Sequence, residues 1–252
     1  MSVAKEQREK LIWEFPNIGK KAPEQEEKAF AYCEGYKEFL NAAKTEREFV
    51  REAVLRLKEA GYEEFEEGKI YQPGDKVYQI NRKKALLMST FGKRPLEDGV
   101  RINVAHIDSP RLDLKPNPLY EKAEAAYFKT HYYGGIRKYQ WATIPLAMHG
   151  VVILKDGTSM DICIGEKEGD PVFCVTDLLP HLAAQQNEQK LKDGIKGEEL
   201  NIIVGSLPYP CEEEDSIKEP VKLLALSLLN ERFGMTEKDF LRAEIEFVPA
   251  VK

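Results

Sequence analysis

Part-way along the chain the spacing of apolar residues changes from threes and fours to twos. This change limits the possible folds more than any other feature. From Pro23 to Ala43 the residues Ala29, Phe30, Tyr32, Cys33, Tyr36, Phe39 and Leu40 recur at helical steps. A second helix begins at Thr45, spaced from Glu48 as in a capping box, and runs through Phe49, Val50, Val54, Leu55 and Leu57 to Gly61. Both are expected to be core helices. Strand-like runs follow at 77–81, 85–90 and 101–105, each flanked by Gly, Pro or Asp. Beyond Pro116 and Pro118 strands dominate: 126–132, 146–154, and 158–164 after the hairpin signal Asp156-Gly157. One helix, Thr176–Lys190 with Asp177 as a possible cap, interrupts them. The acidic loop Glu212–Asp215 reads as a solvated connection. A helix over 220–233 ends at Gly234, and a strand over 242–248 follows. An α/β opening, a β-rich middle and a returning strand predict one domain inserted into another. The expected division is 1–115 and 235–252 as two pieces of an α/β domain, with 116–234 as the inserted β-rich domain.

Composition narrows the function classes. The chain has 252 residues, 42% hydrophobic and 32% charged, enough for a sizeable core. Its net charge of −6 argues against nucleic acid and against an anionic membrane surface as partners. No apolar run approaches the ~18 residues of a membrane-spanning helix. The opening MSVAKEQREKLIWEF lacks the apolar core of a secretory signal. Cys33, Cys163, Cys174 and Cys211 lack C-x-x-C spacing, which argues against a disulfide framework or a thiolate zinc site. A reducing cytoplasm is the expected location.

The common nucleotide-binding and serine-hydrolase motifs are missing: there is no G-x-x-x-x-G-K-[ST], no G-x-G-x-x-G after a strand and no G-x-S-x-G. Attention falls on the four histidines. His106 stands in Val104-Ala105-His106-Ile107-Asp108-Ser109-Pro110, at the end of an apolar run. On an extended strand His106 and Asp108 point to the same side, so the carboxylate can hold one ring nitrogen while the other binds a metal. An H-x-D pair alone is also a common coincidence. His131, before the glycine pair of THYYGG, reads as a turn histidine. His149, inside LAMHGVV, reads as a packed one, and His181 reads as an exposed helix residue. Arg82-Lys83-Lys84 reads as a hairpin or loop face.

The segment from Val104 through His106, Asp108, Ser109 and Pro110 to Lys115 resembles the G-A-H-T-D-S-P…L-K motif of the aspartyl aminopeptidase and vacuolar aminopeptidase I family. Tyr133-Gly134-Gly135, Trp141, Leu146-Ala147 and Gly150-Val151 resemble that family's Y-G-G-G…W…L-A-G-R-V stretch. Pro180-His181-Leu182-Ala183 is similar to its P-H-L-A helix start. Order and spacing agree along essentially the whole chain.

The resemblance implies a dinuclear zinc aminopeptidase: an α/β catalytic domain interrupted by a β-rich dimerisation domain, acting on peptides and assembling into large homo-oligomers. His106 would be a metal ligand, with Asp108 as its carboxylate partner. His181 would reach a neighbouring subunit's active site, and two Zn2+ would occupy each complete site. Two departures stand out. Trp141-Ala142-Thr143-Ile144-Pro145-Leu146 replaces an acidic W-F-D-R-D-L stretch, which removes charges from the region and leaves the residue preference open. Family members also run well past this length, and their bridging aspartate, glutamate pair and late histidine lie beyond the returning strand. The chain is therefore expected to be an N-terminal portion that is inactive alone. The alternative is a non-catalytic assembly or regulatory module that associates with full-length subunits.

Overall fold

In a computed structural model, the described residues are 2–13, 15, 17, 19, 22–210 and 217–251. They fall into two compact units, 1–43 and 44–252. The first unit holds helices α1 (Val3–Leu11) and α2 (Pro23–Ala42). Pro23 occupies the first turn of α2, where a missing N–H costs nothing. The apolar periodicity of α2 forms a helix as expected, yet none of its described residues is buried, which corrects its reading as a core helix.

The second unit begins with α3 (Glu46–Glu59). Thr45 and Glu48 form the anticipated capping box. Gly61, at φ +81°, follows the helix in the left-handed conformation that glycine adopts without strain. A small sheet follows, in the order β1 (Glu63–Glu64), β2 (Lys76–Asn81) and β3 (Ala85–Thr90). Arg82 and Lys83 take positive φ in the β2–β3 turn, as the hairpin reading of this cluster requires.

The larger sheet has seven strands: β4 (Arg111–Lys122), β5 (Ala125–Tyr133), β6 (Leu146–Ile153), β7 (Ser159–Ile164), β8 (Cys174–Val175), β9 (Ile202–Gly205) and β10 (Ala243–Pro249). Their spatial order is β7-β6-β10-β4-β5-β9-β8, with antiparallel neighbours throughout. Gly150 lets β6 and β10 approach closely, since a Cβ there would lie 2.2 Å from the Glu244 carbonyl oxygen. Leu112, Phe128, Met148, Val152, Ile162, Ile245 and Phe247 form an apolar face, against which α5 (Pro220–Phe233) packs Val221, Ala225, Leu229 and Phe233. Phe247 meets Phe173 edge-on with ring centroids 5.2 Å apart, and Phe128 meets Phe240 at 5.7 Å.

Several expectations need correction. Residues 101–105 form no strand; Ile102 and Val104 are exposed, and an extended apolar run becomes a strand only when another strand accepts its backbone hydrogen bonds. The returning strand does not rejoin that segment. As β10 it lies between β6 and β4, inside the β-rich sheet. The Thr176–Lys190 helix shrinks to α4 (Ala184–Asn187). Pro180 disfavours helical backbone at the residue before it, and Asp177 Oδ1 accepts from the adjacent Leu178 N–H at 2.8 Å instead of capping a helix. The acidic run Glu212–Asp215 and Cys211 lie outside the described residues.

Candidate functional site

The seven-stranded sheet has a second face, and it is polar. Cross-strand register places Cys163, His149, Glu246, Asp113 and His131 in one row across β7, β6, β10, β4 and β5. Residues directly opposite one another share a face, and residues two apart on a strand share it too. Arg111, Tyr133 and Glu244 therefore join the same face. The start of α3 covers part of it with Glu46, Arg47 and Glu48.

From this buried surface a series of contacts leads out to His106. Glu46 meets Arg111 Nη1 at 2.8 Å, and Arg111 Nε donates to Asp113 at 2.7 Å. The Arg111 guanidinium lies 4.1 Å from the centre of the Tyr133 ring, a cation–π contact. The Tyr133 hydroxyl donates to Asp108 Oδ2 at 2.9 Å. Asp108 Oδ1 and its carbonyl oxygen approach His106 Nδ1 at 3.1 and 2.9 Å. The Tyr133 hydrogen bond, with help from Asp108's own backbone and His106, holds the Asp108 carboxyl below its ordinary value. The bond to Asp108 in turn pushes the Tyr133 phenol up.

With Nδ1 donating to Asp108, Nε2 is the ring nitrogen that keeps a lone pair. The His106 side chain is 83% exposed, so that lone pair is accessible. The pair thus makes its contact as expected, but from a loop rather than a strand. It is one donor for a metal, held in orientation by a carboxylate. Among the described residues no three His, Cys, Asp or Glu side chains converge with metal-site geometry. A catalytic zinc takes three protein ligands, so His106 and Asp108 do not by themselves fit a complete centre.

The other histidines separate. His131 lies on β5 opposite Asp113, which corrects its placement in a turn. His181 sits in an exposed turn before α4, not at a helix start, beside exposed Leu178, Leu179 and Leu182. His149 is buried, as a packed histidine should be, but Glu48 and Glu166 flank it at 2.7 and 3.0 Å.

Sequence reasoning missed the supporting residues Arg111 and Tyr133. A signal was present in Arg111-Leu112-Asp113-Leu114-Lys115, which alternates polar and apolar residues with the period of a strand. It also missed Glu246, whose carboxylate is 5% exposed. Burial, then Glu46, Asp113 and Glu244, push its pKa up to about 7 against the opposing pull of Arg111. An apolar cavity of about 840 Å³, lined by Met148, Phe173, Leu207 and Leu228 among others, lies on the sheet's opposite face.

Comparison with known proteins gives the family. Residues 39–252 match the family described as Aminopeptidase I zinc metalloprotease (M18), and the chain belongs to that family. It is 48% identical over 247 residues to a probable M18 family aminopeptidase 1 of Clostridium acetobutylicum, covering 96% of this chain and 52% of the relative. The corresponding protein of Thermotoga maritima is 47% identical over 220 residues, covering 87% of this chain and 47% of that one. The crystal structure of an M18 family aminopeptidase from T. maritima superposes with a TM-score of 0.86 at 44% identity, covering 96% of this chain and 52% of that one. Aminopeptidase I of Borrelia burgdorferi gives 0.79 at 41%, covering 91% and 51%. The chain thus spans about half the length of the curated relatives it matches. The mApe1 dodecamer of S. cerevisiae, at 19% identity, covers 87% of this chain and 48% of that one, and shares the fold with a TM-score of 0.59.

Proposed function

We propose that this chain supplies one portion of a metal-dependent aminopeptidase that releases N-terminal amino acids from peptides. The observation that carries this reading is His106, held at Nδ1 by Asp108, which Tyr133 holds in turn, on a side chain that is exposed. His106 would be the metal ligand and Asp108 the group that fixes its tautomer. When bound, zinc would act as a Lewis acid and lower the pKa of a water towards ~7. His106 and Asp108 fall short of a zinc centre, so the remaining donors and the general base must come from elsewhere. The full site is expected to take two Zn2+.

The seven-stranded sheet serves in this reading as the inserted β-rich module for homo-oligomer formation. We draw its boundary to include β10 and the start of β4 at Arg111 as well as residues 116–234. His181, on an exposed apolar turn, would reach a neighbouring subunit's active site. Free cysteines at 33, 163 and 174, and the absence among the described residues of a helix long and apolar enough to cross a membrane, support a cytoplasmic protein.

The test is a chimera of this chain with the portion of the C. acetobutylicum relative that it leaves unmatched. The chimera should release N-terminal residues from peptides in the presence of zinc and lose that activity in His106→Ala. An active chimera indifferent to His106 would overturn the assignment. A second reading, a non-catalytic module that associates with full-length subunits, is favoured by one observation: among the described residues no three metal donors converge. Co-purification with a full-length relative, without any gain in turnover from His106, would favour it.

A further inference from the structure

Two carboxylates bracket the buried His149 ring. Nδ1 stands 2.7 Å from Glu48 Oε1, and Nε2 stands 3.0 Å from Glu166 Oε1. A neutral imidazole has one N–H and can serve only one of these acceptors; its other nitrogen would turn a lone pair on a carboxylate oxygen. Only the imidazolium satisfies both. The side chain is 4% exposed, so water has little room to replace a missing donor.

The bracket joins four parts of the chain. Glu48 Oε2 accepts the Lys44 and Thr45 backbone N–H groups at 3.1 Å each, which fixes the start of α3. Glu166, which follows β7, also accepts from Lys44 Nζ at 2.6 Å. Lys44 Nζ in turn donates to the carbonyls of Pro249 and Val251, at the end of β10 and beyond, at 3.2 and 3.1 Å. The other charged or titratable groups facing His149 are Arg51 on α3, 4.0 Å from Glu48, Cys163 opposite it on β7, and Glu246 opposite it on β10.

We propose that His149 is a proton-operated clasp: as imidazolium it locks the start of α3 and the segment after β10 onto the sheet, and its deprotonation releases them. Burial opposes the charge on His149, but Glu48 and then Glu166 outweigh it and hold the imidazole above its ordinary value. Burial likewise opposes the charge on Glu48, yet His149, Thr45 and Arg51 hold that carboxyl below its ordinary value, so it remains an acceptor. Burial, with the Glu48 and Glu166 charges, pushes the Cys163 thiol up. A group raised on folding contributes fully below its unfolded value and loses that contribution as pH climbs through its folded-state value. The clasp therefore opens upward in pH.

The experiment uses the full chain. Nitrogen-15 spectra should show both His149 ring nitrogens protonated at neutral pH. Hydrogen-exchange protection of residues 44–52, corrected for intrinsic exchange, should fall about tenfold as His149 deprotonates, while β4 and β5 keep theirs. In His149→Gln, protection of 44–52 should be low and independent of pH. Should that variant not fold, Glu166→Gln leaves one carboxylate and should lower the His149 midpoint by about one unit. A single neutral tautomer at neutral pH, protection that ignores His149 titration, or an unmoved midpoint in Glu166→Gln would each overturn the proposal.

Discussion

Tyr133 donates its hydroxyl proton to Asp108 across 2.9 Å, and so ties an exposed loop to the polar face of a seven-stranded sheet. The register that pairs Tyr133 with Arg111 sets that contact, because it stacks the guanidinium on the ring. In Tyr133→Phe the Asp108 carboxyl loses its strongest hold and should titrate closer to the ordinary aspartate value. The sign follows from the direction: a depressed carboxyl contributes at neutral pH and loses that contribution as pH falls. Carbon-13 NMR titration of Asp108 in both proteins checks this. An unmoved titration would show that Tyr133 does not hold it.

Glu246 gives the opposite pH dependence. Its pKa is pushed up to about 7, above the unfolded value, so stability should fall as pH rises from about 4.5 to about 7 and then flatten with respect to this group. The range is worth roughly 3 kcal/mol. Glu246→Gln should remove that part of the slope, because amide replaces carboxyl and Arg111 keeps Glu46 and Asp113. Urea midpoints at acid and neutral pH, wild type against variant, decide it; two parallel slopes would refute the assignment.

The close approach at Gly150 should tolerate no side chain. A methyl group there meets the backbone of Glu244 and Ile245, not a flexible side-chain end. Gly150→Ala should cost about 3 kcal/mol or more by forcing β6 and β10 apart. Denaturant unfolding measures it, and a loss under about 1 kcal/mol would mean that the strands can shift.

Truncation should cost in proportion to burial. Phe247 is fully buried on the central strand β10, whereas Leu87 on β3 is exposed. Phe247→Ala should cost about 3–5 kcal/mol, and Leu87→Ala less than about 1 kcal/mol. Equal costs would show that Leu87 is packed more tightly than its exposure implies.

Much of this was legible in the residues. Thr45 and Glu48 announced their capping box, Asp156-Gly157 its hairpin, and Gly234 the end of α5, because each is decided by contacts a few residues apart. His106 and Asp108 were legible as a pair for the same reason. What was missed depends on distant partners. Residues 101–105 have strand-like composition, but no described strand pairs with them. β10 looked like a strand returning to another domain, yet it pairs with Met148 and Leu112. Arg111, His149 and Glu246 gain their roles from Glu46 and Glu48 on a helix that only the tertiary fold brings near.

In the function proposed above, the chain contributes one held metal ligand, His106, to a peptidase site that needs donors from elsewhere. The direct measurement is an aminopeptidase assay of the purified 252-residue chain with zinc, cobalt or manganese over a panel of aminoacyl substrates, beside His106→Ala. The expected result is no turnover above the variant. Turnover by the chain alone that disappears in His106→Ala would contradict it, since the chain would then hold a complete site.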